Sequence, residues 1–293
     1  MIKILFCFID SLRRDAALQE LKGVFPHETW TKSKSVETYT APCMASIVTG
    51  YPQEKTGVVQ FTDSVNPEVC KNTLFDNFDS YVTTSRLAGN FPKWMPPSRR
   101  NQKKFLDPIK WNAVTNAELG GLEYISRKFS ITCPEFYDFI FYHAWSCHGP
   151  WGVPEYGPKE IPCIKNCDRL MRRMSREELW KWYMIGVHDF KAILNAIRDV
   201  TNNRELIVLT NDHGEELKDT PEGITGHVAG RGDVEVMSIG PFWVNRPDVE
   251  LPELVHQEDM KDLLVELYKQ YEVEDESYQD FKKFKLDLIS KSK

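Results

Sequence analysis

Residues 2–10 read Ile2-Lys3-Ile4-Leu5-Phe6-Cys7-Phe8-Ile9-Asp10, a nearly continuous apolar run that ends in a carboxylate. Such a run predicts a buried strand of a parallel sheet, because helices cover both faces of that kind of strand. The carboxyl ends of these strands open into the crevice where α/β sheets bind their ligands. Asp10 is therefore a candidate metal ligand.

A second pattern of the same kind ends in two side chains that bind metals well. Residues 205–210 form an apolar run that leads directly into Asn211-Asp212-His213-Gly214-Glu215. Asp212 and His213 offer an oxygen and a nitrogen to a divalent cation, and Gly214 allows the chain to turn sharply behind them. We expect both side chains to lie in the same crevice as Asp10.

A helix start supplies a hydroxyl group for this crevice. The segment is Thr40-Ala41-Pro42-Cys43-Met44-Ala45-Ser46-Ile47-Val48-Thr49-Gly50. Pro42 suits the first turn of a helix, and Gly50 suits its end. Because the free N–H groups of a helix start bind anions, Thr40 is placed to meet a phosphate or sulfate ester as a nucleophile. The alternative is that Thr40 is an ordinary N-cap.

The order of the patterns along the chain predicts the fold class. We expect strands at 2–9, 79–84, 137–143, 205–210 and 237–244, and helices at 14–22, 42–49, 116–128, 175–199 and 257–270. Alternating strands and helices predict a three-layer α/β/α sandwich with a mostly parallel central sheet. At 293 residues and 41% hydrophobic composition the chain can bury one substantial core. We therefore expect one catalytic domain over residues 1–272 and a helical or flexible tail over 273–293.

Composition excludes several classes of partner. The net charge of −6 argues against a general nucleic-acid binder. No apolar stretch approaches the length needed to span a bilayer, and residues 2–9 are too short for a signal peptide. The seven cysteines lack the regular spacing of a disulfide framework, which suits reduced thiols. We expect a cytoplasmic protein without a membrane or nucleic-acid partner, while the oligomeric state stays open.

These segments together resemble the sulfatase-like branch of the alkaline phosphatase superfamily. The order and spacing of the matching segments agree with that family from residue 2 to about residue 270. They are residues 10–15, 40–50, 141–151, 211–215, 226–227, 234–244 and 256–264. The resemblance implies an alkaline phosphatase-like fold and an enzyme that acts on a small anionic ester.

The resemblance also implies a metal centre. Its ligands would be Asp10, Thr40, Asp212 and His213, with Thr40 serving as the nucleophile as well. A mainly oxygen donor set accepts Mn, Mg or Ca, and the histidine also tolerates Zn. The chain offers no Asp-x-x-x-His pair like that of the two-metal members, so we expect one well-formed site, with a second left open.

Histidines in two polar loops are the further catalytic candidates. The resemblance places His148 against the oxyanion or leaving group of the substrate and His227 near the leaving group. Each of them stands beside glycine, in His148-Gly149-Pro150 and Gly226-His227. His143 and Arg231 are additional candidates for substrate binding. The alternative for His148 and His227 is a hydrogen bond that only braces a loop.

The chain departs from the family's sulfatases at the nucleophile. Those enzymes oxidise the cysteine of Cys-x-Pro-x-Arg to formylglycine, whereas Thr40 and Met44 occupy the cysteine and arginine positions here. Cys43 stands three residues too late. The resemblance therefore favours a metal-dependent hydrolase or transferase acting on phosphate monoesters or diesters through a phospho-threonine intermediate. The alternatives are a sulfatase-like sulfuric ester hydrolase and a repurposed member that only binds an anion.

Overall fold

A seven-stranded sheet forms the centre of the molecule. The computed structural model describes residues 4–60, 62–78, 80–84, 139–144, 146–149, 171–201, 205–247 and 249–274. The strands are β1 (Ile4–Ile9), β2 (Thr29–Lys34), β3 (Ser80–Thr84), β4 (Phe139–Ala144), β5 (Leu206–Asn211), β6 (Glu216–Leu217), β7 (Thr225–Gly226), β8 (Ile239–Val244) and β9 (Leu254–His256). The α-helices are α1 (Arg14–Glu20), α2 (Thr40–Thr49), α3 (Gln53–Thr56), α4 (Arg176–Thr201), α5 (Glu235–Ser238) and α6 (Met260–Glu274). Short 3₁₀ turns occur at Pro67–Lys71, Leu74–Asp76 and Gln257–Asp259.

The sheet is mostly parallel, as predicted. Its strand order is β3-β4-β1-β5-β8-β2-β9, and β6 pairs with β7 in a separate hairpin. Strands β3, β4, β1 and β5 run parallel to one another, whereas β8 is antiparallel to both β5 and β2. Strand β2 therefore runs in the same direction as β5, and β9 is parallel to β2.

Helices cover both faces of the sheet and complete the predicted three layers. Alternate residues of β1 divide between two core clusters, because successive side chains of a strand point to opposite faces. The first cluster joins Leu5, Cys7 and Ile9 to α1 and α4. The second joins Ile4, Phe6 and Phe8 to α2 and α6. The continuous apolar run in β1 is thus the consequence of burial on both sides.

The strand register brings the predicted metal ligands to one edge of the sheet. Ile9 is paired with Ala144 of β4 and with Asn211 of β5. Asp10 and Asp212, which directly follow Ile9 and Asn211, therefore leave the sheet side by side. His143 lies one residue before Ala144, at the same edge.

Two strands of the central sheet, β2 and β9, were missed in the sequence interpretation, as was the short β6–β7 hairpin. Strand β2 consists of threonine, lysine and serine residues apart from Trp30, and Ser33 is its one buried residue. A polar strand in the interior of a sheet lacks the apolar run on which strand prediction depends. Strand β9 is only three residues long, too short for a pattern. The strand expected at 237–244 is divided between α5 and β8.

The remaining predicted segments differ at their ends or lie outside the described residues. Helix α6 continues to Glu274, two residues past the predicted domain limit. The helix expected at 116–128 and most of the tail at 273–293 lie outside the described residues. Among the helices of the described ranges, none has an apolar stretch long enough to cross a membrane.

Candidate active site

Three buried side chains form a cluster with the composition of a metal site. One ligand atom each from Asp10, Asp212 and His213 lies within 4.8 Å of the other two. All three residues are fully buried. They come from the carboxyl ends of β1 and β5, where the sequence predicted them.

The local hydrogen bonds fix the orientation of His213. Its Nδ1 lies 2.7 Å from the carbonyl oxygen of Gly214, and because a carbonyl can only accept, Nδ1 carries the proton. The Nε2 lone pair therefore faces the cluster. Burial and the nearby His227 lower the pKa of His213 to about 4, so the ring is neutral, as a metal ligand must be.

Gly214 is required by a close backbone approach. A Cβ atom at this position would lie 1.7 Å from the carbonyl oxygen of Val236. The Gly214 amide also donates to the carbonyl of Met237, at 2.8 Å. The glycine thus lets the chain after β5 pack against α5, which holds the Asp-His pair at the strand end.

The donor atoms of this cluster fit a divalent cation. Asp212 Oδ1 accepts the amide protons of Ser11 and His213, at 2.8 Å and 2.7 Å. Asp212 Oδ2, by contrast, is buried and receives no hydrogen bond from any described residue. It lies 3.2 Å from His213 Nε2, so that an acceptor faces an acceptor. A cation between them would turn this repulsion into two favourable contacts.

Thr40 directs its hydroxyl group into the same cluster. It is the first residue of α2, and Tyr39 holds the N-cap position, so the ordinary N-cap alternative does not describe it. Thr40 Oγ1 lies 3.4 Å from Asp10 Oδ2 and 3.4 Å from His213 Nε2. A hydroxyl group, the metal-type ligands and a helix N-terminus therefore meet at one point.

Opposing influences set the ionisation of the two carboxylates. Burial disfavours ionisation of Asp10, but His148, His143 and His213 nevertheless hold its pKa below the usual range. Burial and the adjacent Asp10 raise the pKa of Asp212. The site thus concentrates negative charge that a divalent cation would neutralise.

Ser11 holds the two carboxylates in place and was not singled out from the sequence. Its backbone has a φ of 59°, in the left-handed region. In this conformation its amide reaches Asp212, and its hydroxyl donates to Asp10 Oδ1 at 2.9 Å. Tyr183 of α4 donates to the Ser11 carbonyl at 2.9 Å. A left-handed serine costs about 1–3 kcal/mol, and nothing in the sequence predicts it.

The predicted catalytic histidines lie together beside the cluster. The ring of His227 is centred 4.4 Å from that of His213 and 4.9 Å from that of His148. His227 Nδ1 donates to the buried Glu215 carboxylate at 2.8 Å. Burial alone would lower the pKa of His227, but Glu215 raises it to about 9. Sequence analysis named Glu215 within the motif of residues 211–215 but gave it no role. Its position directly after Asp212-His213-Gly214 was the feature of the sequence that could have indicated one.

His148 differs from His227 in its protonation. Its Nδ1 lies 2.6 Å from the Gly149 carbonyl and therefore carries a proton. Burial lowers the pKa of His148, which favours the neutral ring. The site thus holds a protonated and a neutral histidine side by side.

The two additional substrate-binding candidates have partners within the protein. His143 is nearly buried, and its Nε2 lies 3.6 Å from Asp10 Oδ2. Arg231 pairs with the buried Glu216 at 3.1 Å and lies 3.9 Å from Glu222, with 22% of its side chain exposed. His143 therefore borders the metal-type cluster, whereas Arg231 lies at the rim, held by carboxylates. Their roles toward a substrate stay predictions.

Comparisons with known proteins identify the fold. No protein-family model and no curated protein sequence matches the chain. The C-terminal periplasmic domain of the phosphoethanolamine transferase EptC from Campylobacter jejuni is similar in structure, with a TM-score of 0.61 and 15% identity over 92% of this chain and 90% of that one. The EptC periplasmic domain from Escherichia coli, in complex with Zn, has a TM-score of 0.59 and 16% identity over 91% and 82%. A phosphonate monoester hydrolase of Agrobacterium radiobacter has a TM-score of 0.60 and 14% identity over 92% and 74%.

These neighbours belong to the sulfatase-like branch of the alkaline phosphatase superfamily. At 14–16% identity the likeness establishes the fold. The chain has the alkaline phosphatase-like α/β fold that the sequence resemblance implied.

Proposed function

We propose that this protein is a metal-dependent enzyme that hydrolyses or transfers phosphate esters through a phosphorylated Thr40. The observation that carries the proposal is the position of Thr40 Oγ1, 3.4 Å from both Asp10 Oδ2 and His213 Nε2 at the start of α2. Each of these groups has another plausible use alone. Their meeting in one buried cluster favours nucleophilic catalysis over anion binding.

Asp10, Thr40, Asp212 and His213 would hold one divalent cation. When bound there, the cation supplies Lewis acidity, which lowers the pKa of the Thr40 hydroxyl and neutralises the ester oxygens. One neighbour in structure is a zinc complex, which supports zinc as a candidate beside Mn, Mg and Ca. Which of them is native stays open.

The reaction proceeds in two displacements at phosphorus. Thr40 Oγ1 gives its proton to water and bonds to phosphorus, while the bond from phosphorus to the leaving oxygen breaks with its electron pair on that oxygen. His227, kept protonated by Glu215, gives its proton to the leaving oxygen. Water or a second alcohol then bonds to phosphorus and gives up a proton, while the bond from phosphorus to Thr40 Oγ1 breaks with its electron pair on Oγ1, which takes a proton from water and becomes the hydroxyl again. His148, whose neutral form is favoured by burial, is suited to take the proton of the incoming group and to return it to His227, since the two ring centroids are 4.9 Å apart.

Cysteine chemistry of the sulfatase kind has no support at this site. Cys43 is buried within α2, and its thiol donates to the Glu37 carbonyl at 3.0 Å. Thr40, and not Cys43, faces the carboxylates. The neighbours include phosphoethanolamine transferases and a phosphonate monoester hydrolase as well as sulfatases, so the preference for phosphorus over sulfur rests on Thr40 and not on the neighbours.

A substrate panel tests the proposal. Chromogenic phosphate monoesters, phosphodiesters, phosphonates and sulfate esters are assayed with Mn²⁺, Mg²⁺, Ca²⁺ and Zn²⁺ in turn. We expect turnover of at least one phosphorus ester, loss of that turnover with a chelator or in Thr40→Ala, and partial retention in Thr40→Ser. Quenched reactions should show the mass of one phosphoryl group on the peptide that contains Thr40. Turnover of no ester under any condition would favour the anion-binding alternative.

The remaining expectations stay predictions. These are the small anionic ester as the partner, the absence of nucleic-acid and membrane partners, and the cytoplasmic location. Gel filtration and fractionation of the native host are the corresponding measurements.

A further inference from the structure

The side chain of Gln257 joins two loops of the candidate active site. It is fully buried in the 3₁₀ turn between β9 and α6. Its Oε1 accepts the amide proton of Val36 at 2.9 Å. Its Nε2 donates to the carbonyl of Asp212 at 2.6 Å and to that of Asn211 at 3.2 Å. Both ends of the amide are therefore used, and each end holds a different loop.

The two loops carry the groups whose alignment the reaction needs. Val36 belongs to residues 35–39, which connect β2 to the nucleophile Thr40. Asn211 and Asp212 end β5 and lead into His213. Thr40 and the Asp212–His213 pair thus belong to segments more than 170 residues apart along the chain. A brace between the loops controls how Thr40 faces these ligands.

The Asp212 carbonyl is the point at which the brace acts. It accepts the hydroxyl proton of Ser35 at 2.5 Å in addition to the Gln257 amide. A carbonyl oxygen has two lone pairs, so both are occupied. Loss of the Gln257 amide would leave the Val36 N–H without this acceptor and would leave Ser35 as the remaining contact to that carbonyl. Groups that orient metal ligands in this way strongly affect metal affinity and activity.

We propose that Gln257 is a positioning residue that sets the distance and orientation between Thr40 and the Asp212–His213 pair. The inference rests on the proposed function, because it concerns the same site. Gln257 touches neither substrate nor metal, and it acts through the backbone of the two loops.

A matched control is present at the beginning of β5, the strand whose end Gln257 contacts. Asn245 is also a buried amide, with 3% exposure. Its Oδ1 accepts from the amide of Ile207 at 2.8 Å, and its Nδ2 donates to the Glu205 carbonyl at 3.0 Å. It therefore braces the beginning of β5, whereas Gln257 braces the end that bears the site.

The experiment compares Gln257→Met with Asn245→Leu, two substitutions that keep the side-chain size and remove the amide. For each variant and the wild type we measure the thermal midpoint, the affinities for Mn²⁺ and Zn²⁺ by calorimetric titration, kcat and KM on the best ester, and amide hydrogen exchange of the peptide that contains Val36. Both variants should lower the midpoint, because each leaves buried polar groups unpaired.

The expected result separates the two variants. Gln257→Met should weaken metal binding and lower kcat by about tenfold or more, at a KM within about twofold, and should speed exchange of the Val36 peptide. Asn245→Leu should change none of these. If Gln257→Met resembles Asn245→Leu in every measurement except the midpoint, Gln257 is only a structural residue.

Three further outcomes are decisive. If Gln257→Met does not fold, wild-type exchange decides: Zn²⁺ should slow exchange of the Val36 peptide, and unchanged exchange overturns the proposal. If the wild type binds none of the four candidate cations Mn²⁺, Mg²⁺, Ca²⁺ and Zn²⁺, the proposed function fails and the positioning role fails with it. Normal metal binding and kcat in Gln257→Met overturns the positioning role alone.

Discussion

The pair of Glu215 and His227 shows how one buried carboxylate can prepare an acid. Glu215 is 2% exposed and lies 2.8 Å from His227 Nδ1. Burial would lower the pKa of His227, but this contact raises it to about 9. The histidine therefore keeps its proton at neutral pH, which is the state that a general acid requires.

His227→Ala should slow the cleavage of esters with poor leaving groups far more than that of esters with good ones. A poor leaving group needs the proton that His227 supplies, so we expect kcat/KM for alkyl esters to fall by about a hundredfold to ten-thousandfold. For nitrophenyl esters the loss should be much smaller. The measurement is the dependence of kcat/KM on leaving-group pKa, with the exposed His256→Ala as the control. An equal loss for all esters, with a lowered thermal midpoint, would contradict the acid role.

The buried guanidinium of Arg13 contacts the segment that carries Glu215. Arg13 is 1% exposed and contacts Asp219 at 2.6 Å, Asp15 at 2.7 Å and the Glu215 carbonyl at 3.1 Å. Burial acts to raise the pKa of Asp219, but the Arg13 guanidinium lowers it below its usual value. Ion pairing with Asp219 thus compensates the burial of Arg13, next to the segment that bears Glu215.

Asp219→Asn should lower the free energy of unfolding by about 1–3 kcal/mol at pH 7, because it leaves part of a buried charge uncompensated. A lowered folded-state pKa adds stability above the unfolded value of about 3.9, and this stability is lost as the pH falls through the folded pKa. The difference in the free energy of unfolding between the wild type and Asp219→Asn should therefore become smaller below about pH 4. Chemical unfolding over pH 2.5–8 measures it. Asp199→Asn, at an exposed pair with Arg198, is the control and should change little.

At the scale of elements, the loop before α2 is fastened to the loop that follows His227. Thr38 is fully buried, and its hydroxyl donates to the Val228 carbonyl at 2.5 Å and accepts from the Arg231 amide at 3.1 Å. Glu37 accepts the amide proton of Gly230 at 2.7 Å. The proposed nucleophile and the proposed acid are thus linked through the ends of their own loops.

Thr38→Val should lower kcat by about tenfold, because it keeps the shape of the side chain and removes the hydroxyl group that contacts Val228, Arg231 and Glu37. Thr38→Ser keeps the hydroxyl and should stay within about twofold of the wild type. Metal affinity should change little in either variant, since the link leads to His227 and not to Asp212. Steady-state kinetics and metal titration measure these effects. Equal losses in the valine and serine variants would show that the methyl group, and not the hydroxyl, is important.

The sequence predicted those elements whose environment is uniform along their length. Strands β1 and β5 are covered on both faces, so burial leaves an apolar run and the polar residues after it mark the site. Strand β2 was not predicted because its side chains are largely polar. Its backbone forms hydrogen bonds with the neighbouring strands β8 and β9, which leave no pattern in the sequence. Yet β2 delivers residues 35–39 to the site, so the missed strand explains how Thr40 reaches the metal-type ligands.

At the scale of the whole molecule, one edge of the sheet gathers residues from distant parts of the chain. The motifs indicated the candidate site residues, since Asp and His have few other reasons to follow directly on a buried apolar strand. The residues that hold them were beyond prediction. Ser11 depends on a backbone angle, and Gln257 depends on contacts with loops 45 and 221 residues away. Such contacts leave no local periodicity in a sequence.

The global stability should respond to the metal through Asp212. Its Oδ1 accepts two amide protons, whereas its Oδ2 faces the His213 Nε2 lone pair at 3.2 Å. Asparagine can keep Oδ1 in place and present its NH₂ group to that lone pair as a donor. It also removes one of two neighbouring carboxylates, which favours the metal-free fold.

Asp212→Asn should therefore raise or preserve the thermal midpoint of the metal-free protein and abolish its stabilisation by metal. In the wild type, a cation at a hundredfold excess over its dissociation constant should add about 2.7 kcal/mol, because it binds the native state. This corresponds to a midpoint shift of roughly 5 °C or more. Scanning calorimetry with and without chelator measures both quantities, and Asp262→Asn, on the exposed face of α6, should keep the full metal shift. A metal shift that persists in Asp212→Asn would place the cation elsewhere, and a metal-free midpoint well below that of the wild type would show that Asp212 is mainly a structural residue.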